Sequence, residues 1–273
     1  MTRRRLDAEL TRRGLARSRE HARELVEAGS VQVRGSVASK CTTQVSDADP
    51  ITVLSGNGGW VSRGAHKLLG ALQAWPEVDV RGRRALDAGA STGGFTQVLL
   101  DRGAASVIAV DVGYGQLAWS LRQDDRVIVL ERTNVRYLEP KALPWLPTLI
   151  VADLSFISLT SVLPALSAIS EPGADLLLMV KPQFEVGREH VGNGVVRDPT
   201  LRALAIAKVV DRASELGLLI RGVTPSPLPG PSGNVEYFVW LSMVESSNTD
   251  ELTGLGESAR DRAIEAAVLG GPK

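Results

Sequence analysis

Residues 85–95 read Ala85-Leu86-Asp87-Ala88-Gly89-Ala90-Ser91-Thr92-Gly93-Gly94-Phe95: an apolar run closing on an aspartate, a glycine-rich turn, then Phe95, Val98 and Leu99 spaced along one helix face. Strand, tight turn and helix in that order begin a parallel-sheet crossover. Glycine in the turn lets backbone approach a ligand where a Cβ would collide. Outward from this stretch, apolar runs alternate with helical segments, which predicts a doubly wound α/β sheet. The expected strands are 84–87, 106–111, 127–130, 149–153, 175–181, 218–224 and 237–244. This scheme places Asp87, Asp111, Asp153 and Lys181 at carboxyl ends of strands, the rim at which such sheets bind ligands.

A nicotinamide-binding turn would carry Gly-x-Gly-x-x-Gly. Gly89, Gly93 and Gly94, with Asp87 just ahead of them, have instead the form usual for S-adenosylmethionine-binding loops. The expected cofactor-binding residues are Asp87, Gly89, Ser91, Thr92, Gly93, Gly94, Phe95, Asp111 and Asp153. Asp111 is placed to accept hydrogen bonds from both ribose hydroxyls of an adenosyl group. Each aspartate alone would pass for a solvent-facing strand end, but four charged groups at one rim have little structural reason to be there.

Seven strands is the count of the class I methyltransferase fold, whose seventh strand runs antiparallel beside the fifth. Asp153 closes the fourth expected strand, Lys181 closes the fifth and Glu236 opens the seventh. Neighbouring strands lie about 4.8 Å apart, so these three side chains fall in one row, with Lys67 joining from the flank.

The N-terminal residues have another character. The whole chain of 273 residues balances 31 basic against 31 acidic groups, so any attraction to nucleic acid must come from uneven charge distribution. Residues 1–40 hold ten Lys/Arg against five acids. Leu6 and Leu10 predict one short helix that stops at Gly14, and Ser18 caps a second carrying Ala22, Leu25 and Val26 and stopping at Gly29. Val31, Val33, Val37, Val45, Ile51 and Val53 then alternate as in hairpins with one buried face. Ser55-Gly56-Asn57-Gly58-Gly59 has linker composition. The expected organisation is an N-terminal module 1–57, a linker 58–64, a catalytic domain 65–246 and a tail 247–273, weakly helical from 257 to 268.

Cys41 is the single cysteine, so no disulfide framework or Cys-based zinc site is available. His21, His66 and His190 have no metal-ligand spacing, and no metal is expected. No apolar core follows the N-terminal arginines and no run spans a bilayer, which argues against secretion and membrane insertion and for the cytoplasm.

The stretch Arg5-Leu6-Asp7 with Leu10, Gly14, Ser18-Arg19, Ala22, Leu25-Val26 and Gly29-Ser30-Val31-Gln32-Val33-Arg34-Gly35 resembles the RNA-binding domain named after ribosomal protein S-four. That resemblance implies phosphate contacts by Arg4, Arg5, Arg17, Arg19 and Arg23, although a charge run by itself is more often a solvated helix face. The order Lys67, Asp153, Lys181, Glu236 resembles the catalytic tetrad of the FtsJ-like ribose 2′-O-methyltransferases. With residues 61–67, 87–95, 111–117, 153–158, 181–185 and 233–237, the chain from about Arg3 to Val244 looks like the TlyA family of ribosomal RNA methyltransferases. It has Gly58-Gly59-Trp60-Val61 where some members carry Arg-x-Trp-Val.

What this resemblance implies is 2′-O-methylation of cytidine in 16S and 23S ribosomal RNA. The methyl of a sulfonium is already electrophilic, so the enzyme has mainly to align a ribose hydroxyl and remove its proton. Lys181 is the expected general base; it must be uncharged at the moment of attack, which burial and a second cation at Lys67 favour and Asp153 and Glu236 oppose. The segments 184–196 and 225–234 flank the rim as candidates for substrate contact. Two rival readings stand beside this one. A non-catalytic RNA-binding or assembly factor is separable by cofactor binding. A membrane-active haemolysin, a label the family carries, lacks an amphipathic basic helix or apolar span to support it.

Overall fold

The computed structural model describes residues 3–16, 18–27, 31–38, 40–53, 59–187, 191–192, 194–244 and 254–271. Arg17, Gly29, the linker residues 54–58 and His190 lie outside them. The chain forms two compact units, Met1–Val61 and Ser62–Lys273.

The first unit runs β1 (Arg4–Arg5), α1 (Leu6–Arg12), α2 (Arg19–Glu27), β2 (Val31–Val33), β3 (Ser36–Val37), β4 (Gln44–Val45) and β5 (Ile51–Val53). Strands β3, β2 and β5 make an antiparallel sheet in that order, and β1 pairs with β4. Ser18 caps α2 by accepting the His21 N–H at 3.1 Å, as its position predicts. Leu6, Leu10, Ala22, Val26, Val31 and Val45 form a small core. So few apolar side chains stabilise a unit weakly, and arginine–carboxylate ties supplement them. The buried Glu9 carboxylate accepts from Arg12 at 2.6 Å and Arg13 at 2.8 Å, and these guanidinium hydrogen bonds, Arg12 first, pull its pKa down to about 2. Arg13 also donates to the carbonyls of Ser46, Asp47 and Asp49, fastening α1 to that turn.

The second unit continues with α3 (Gly64–Ala74), β6 (Arg84–Ala88), α4 (Gly94–Asp101), β7 (Ser106–Val110), α5 (Trp119–Arg122), β8 (Val127–Leu130), β9 (Leu149–Ala152) and α6 (Leu159–Ile169). It closes with β10 (Asp175–Val180), α7 (Pro182–Glu185), α8 (Pro199–Glu215), β11 (Leu219–Pro225), β12 (Tyr237–Ser242) and α9 (Glu257–Gly270). Among the described residues one seven-stranded sheet has the order β11-β12-β10-β9-β6-β7-β8. Strands β10, β9, β6, β7 and β8 are parallel, and β12 runs antiparallel between β10 and β11. The central strands are near-continuous apolar runs because helices cover both faces: Leu86, Ile108, Leu149, Ile150, Leu176 and Leu178 are fully buried.

Strand register places the rim. Ala88 pairs with Val110 and Ala152, Leu178 with Ala152, and Val180 with Tyr237. The residues that follow or precede these pairs, Gly89, Asp111, Asp153, Lys181 and Glu236, therefore emerge on one edge. The strand order reverses between β6 and β9, the crevice in which open α/β sheets take their ligands. Two elements differ from the sequence expectation. Residues 64–74, expected only as a flank, form α3, with Ala65, Leu68, Ala71 and Leu72 buried along one face. The tail carries the helix expected over 257–268 as α9, but it is not set apart: Ile264, Ala267 and Val268 join the main core. No helix among the described residues is long and apolar enough to cross a membrane.

Candidate active site

Four side chains from four elements converge at the rim. Lys67 lies on α3 and its ammonium reaches Glu236 Oε2 at 2.5 Å and Asp153 Oδ2 at 4.0 Å. Lys181 follows β10; its ammonium lies 2.5 Å from Asp153 Oδ1, at an angle outside hydrogen bonding, and donates to Ser155 Oγ at 2.9 Å. Asp153 thus stands between two amines, one at each carboxylate oxygen. Lys67 and Lys181 are buried, and Glu236 is 1% exposed. Buried charges persist only when paired, and here each has a partner of opposite sign.

Two cavities meet at Asp153. The larger, about 520 Å³, is lined by Gly89, Ser91, Asp111, Asn134, Asp153 and Phe156, among others. The smaller, about 260 Å³, includes Arg63, Lys67, Thr92, Phe95, Lys181 and Pro231. Gly89, Ser91, Asp153 and Ser155 border both. The larger has the size of a pocket for a cofactor-sized molecule, on the order of 300–1,000 Å³. Asp111 accepts the N–H of Ser91 at 2.8 Å on one oxygen and that of Gly113 at 2.6 Å on the other. Each oxygen has acceptor capacity beyond that hydrogen bond, and Asp111 lines the larger cavity.

Of the residues the sequence assigned to the cofactor, Gly89, Ser91, Thr92, Gly94, Phe95, Asp111 and Asp153 line these cavities. Asp87, Gly93 and Glu236 line neither. Asp87 is fully buried, and its Oδ2 accepts from the Thr96 N–H at 2.8 Å and the Thr96 hydroxyl at 2.7 Å. It anchors the first turn of α4, whose N-terminus favours a negative charge. Burial nevertheless pushes its pKa up to about 7, against those two hydrogen bonds. Gly93 turns with φ +96°, and a Cβ there would strike Leu121 at 2.2 Å, so this glycine serves packing. Glu236 is buried and holds Lys67. Gly89, with φ +86°, brings the ends of β6 and β9 together: a Cβ would lie 2.6 Å from the Asp153 carbonyl oxygen.

Sequence reasoning missed Ser155, Phe156 and Arg63, all exposed cavity residues. Phe156 is 91% exposed and adopts φ +64°, a strained conformation for a bulky side chain. Its ring lies 5.3 Å from that of Phe184. Glu185, buried on α7, accepts from Ser158 Oγ at 2.5 Å and the Leu159 N–H at 2.7 Å, joining the segment after Lys181 to the one after Asp153. Of the flanking loops, Asn234 ties 225–234 to 191–196 through Val196 N–H at 2.9 Å and the Gly194 carbonyl at 2.8 Å.

In the N-terminal unit, the arginines expected on RNA are partly engaged at home. Arg4 pairs with Asp47 at 3.1 Å, Arg5 with Asp7 at 2.8 Å, and Arg19 lies 3.6 Å from Asp7. The Arg19 side chain is still 62% exposed, and Arg23 is exposed on α2.

Residues 60–243 match the FtsJ-like methyltransferase family and residues 4–49 match the S4 domain. A Mycobacterium tuberculosis protein named 16S/23S rRNA (cytidine-2′-O)-methyltransferase TlyA is 58% identical over 270 residues, 98% of either chain. The Bacillus subtilis protein YqxC is 43% identical, over 87% of this chain and 85% of its own. A solved structure of a Streptococcus thermophilus protein described as a haemolysin superimposes with TM-score 0.74 at 37% identity, covering 98% of this chain and 95% of that one. The chain belongs to the FtsJ-like methyltransferases and, among them, to the TlyA family of rRNA methyltransferases.

Proposed function

We propose that this protein transfers a methyl group from S-adenosylmethionine to the ribose 2′-hydroxyl of cytidine in 16S and 23S ribosomal RNA. The observation that carries this reading is the convergence of Lys67, Asp153, Lys181 and Glu236 at the strand-order reversal, with Asp153 on the wall shared by a cavity of about 520 Å³ and the smaller one that Lys67 and Lys181 line. A relative 58% identical over nearly its whole length bears the corresponding name.

The residues present fit the cofactor. Asp111 offers two acceptor directions for the ribose hydroxyls of an adenosyl group, and Gly89 and Ser91 leave backbone exposed beside it. When bound, the cofactor supplies an electrophilic methyl on a positively charged sulfur, which departs with the bonding electron pair as a thioether. Lys181 borders the smaller cavity, next to the shared wall, and takes the proton from the ribose oxygen as the new oxygen–carbon bond forms. The resulting ammonium lies against Asp153, which stabilises it. Lys67, clamped by Glu236, holds the other Asp153 oxygen and so fixes the carboxylate. Phe156 presents a face on which an unstacked base of single-stranded RNA can lie. Arg4, Arg5, Arg17, Arg19 and Arg23 serve as phosphate contacts, with Arg19 and Arg23 the most available. A ribosomal substrate places the activity in the cytoplasm.

The test is transfer of labelled methyl from S-adenosylmethionine to ribosomal subunits from cells lacking the protein, with mapping of the modified ribose. A 2′-O-methyl cytidine formed by wild type and absent with Lys181→Ala is the expected result. No transfer to either subunit by folded protein would overturn the reading.

A further inference from the structure

Lys181 as a base raises a question of direction. An uncharged amine carries two N–H bonds and one lone pair, in three staggered positions about the Cε–Nζ bond. Only one of these orientations aims the lone pair at a given hydroxyl. Asp153 Oδ1, close to Nζ but off its hydrogen-bonding directions, attracts the amine without fixing which position the lone pair takes. A hydrogen-bond acceptor narrows that choice.

Ser155 is placed to be that acceptor. Its Oγ receives a hydrogen bond from Lys181 Nζ at 2.9 Å, while Asp153 Oδ1 lies 2.5 Å from the same nitrogen. Ser155 borders both cavities, at the wall where the two reactants would meet. Its backbone follows directly on Asp153-Leu154, so one loop delivers both groups to the Lys181 amine. It is also exposed, so its side chain is not held there by core packing.

We infer that Ser155 is a positioning residue for the proton transfer: its hydroxyl takes one N–H bond of uncharged Lys181, beside the Asp153 carboxylate, and so keeps the lone pair available to the reacting ribose hydroxyl. This rests on the methyl-transfer reading above. As the ribose O–H bond breaks, its proton joins Nζ along that lone pair, and the hydrogen bond to Ser155 stays in place. The ammonium then has three N–H bonds, one of them already held by Ser155, with the Asp153 carboxylate alongside to balance its charge.

The experiment compares wild type, Ser155→Ala, Ser155→Thr and Lys181→Ala in the ribosomal-subunit assay, with cofactor affinity measured by calorimetry. Loss of one neutral hydrogen bond at the transition state corresponds to roughly a fivefold to tenfold lower kcat. Ser155→Ala is expected to show that loss with KM for the subunit and Kd for S-adenosylmethionine unchanged, and Ser155→Thr, which keeps the hydroxyl, to restore the rate. Unchanged kcat in Ser155→Ala while Lys181→Ala is inactive overturns the inference and leaves the methyl-transfer reading standing. Equal losses in the alanine and threonine variants also overturn it. Wild-type protein that transfers no methyl group removes both.

Discussion

Lys67 and Glu236, 169 positions apart in the chain, meet at 2.5 Å with almost no exposure to solvent. The pair joins α3 to the start of β12, and it does so where an uncompensated charge would be costly. Removing one partner of a buried ion pair costs about 3–5 kcal/mol, while replacing both by apolar side chains is often neutral. Glu236→Ala should therefore lower the urea midpoint strongly, and the double variant Lys67→Met with Glu236→Leu should regain most of that stability. The double variant should remain inactive. Urea unfolding and methyl transfer on the same preparations check both statements; a double variant as unstable as Glu236→Ala would show that packing, not charge, sets the cost.

Asp87 supplies a pH dependence with a definite sign. Its pKa is about 7 when folded and about 4 in an unfolded chain. Between those values the folded state holds the proton more tightly, so stability falls as pH rises from about 4 to 7 and levels off above. Asp87→Asn should flatten that part of the profile in cofactor-free protein, because the amide oxygen still accepts from Thr96 but does not titrate. Denaturant midpoints at pH 5, 6, 7 and 8 measure it, and an unchanged slope would exclude Asp87 as its source.

Gly89→Ala meets two obstacles at once, the Asp153 carbonyl 2.6 Å from the new Cβ and a φ of +86°. The ends of β6 and β9 must move apart to admit it. Calorimetry should show S-adenosylmethionine affinity lowered by tenfold or more, with a lower melting temperature as well.

Phe156 carries strain without burying its ring. Phe156→Gly should thus raise stability by about 1 kcal/mol, since glycine adopts this conformation at no steric cost. The same change should raise KM for the ribosomal subunit. Stability and activity moving together in one direction would refute a role for the ring in holding RNA.

Arg19→Gln and Arg23→Gln should each weaken RNA binding and lower the slope of log affinity against log salt by roughly 1. Binding measured from 50 to 200 mM salt decides it; an unchanged slope would assign that arginine to the fold alone.

The sequence disclosed the sheet because its buried strands are uninterrupted apolar runs that stop at charged residues. Asp153 and Lys181 could be found by that change of character, and Glu236 by its place ahead of the last run. Lys67 needed α3, whose Ala65, Leu68 and Leu72 carry a helical spacing that a short flanking segment hid. Asp87 and Gly93 were grouped with the ligand contacts because spacing along a turn does not reveal which way each residue faces. Asp87 points inward to Thr96, and Gly93 makes room for Leu121. Phe156 and Ser155 owe their positions to a backbone turn with no compositional signature. Counting charges over residues 1–40 registered an excess of arginine but not its pairing, through which Asp7 and Glu9 of α1 and Asp47 of the 46–49 turn hold several of those side chains.

Strand β12 lies between β10 and β11 although it follows both in the chain. During synthesis β11 is made with its future neighbour still absent, and the open edge of β10 waits for the same strand. Glu236 arrives at the head of that strand, so Lys67 gains its nearer counter-ion only when β12 takes its place in the sheet. A nascent or truncated chain that stops short of Glu236 holds β6 and the glycine turn but has no means of completing the row of Lys67, Asp153, Lys181 and Glu236.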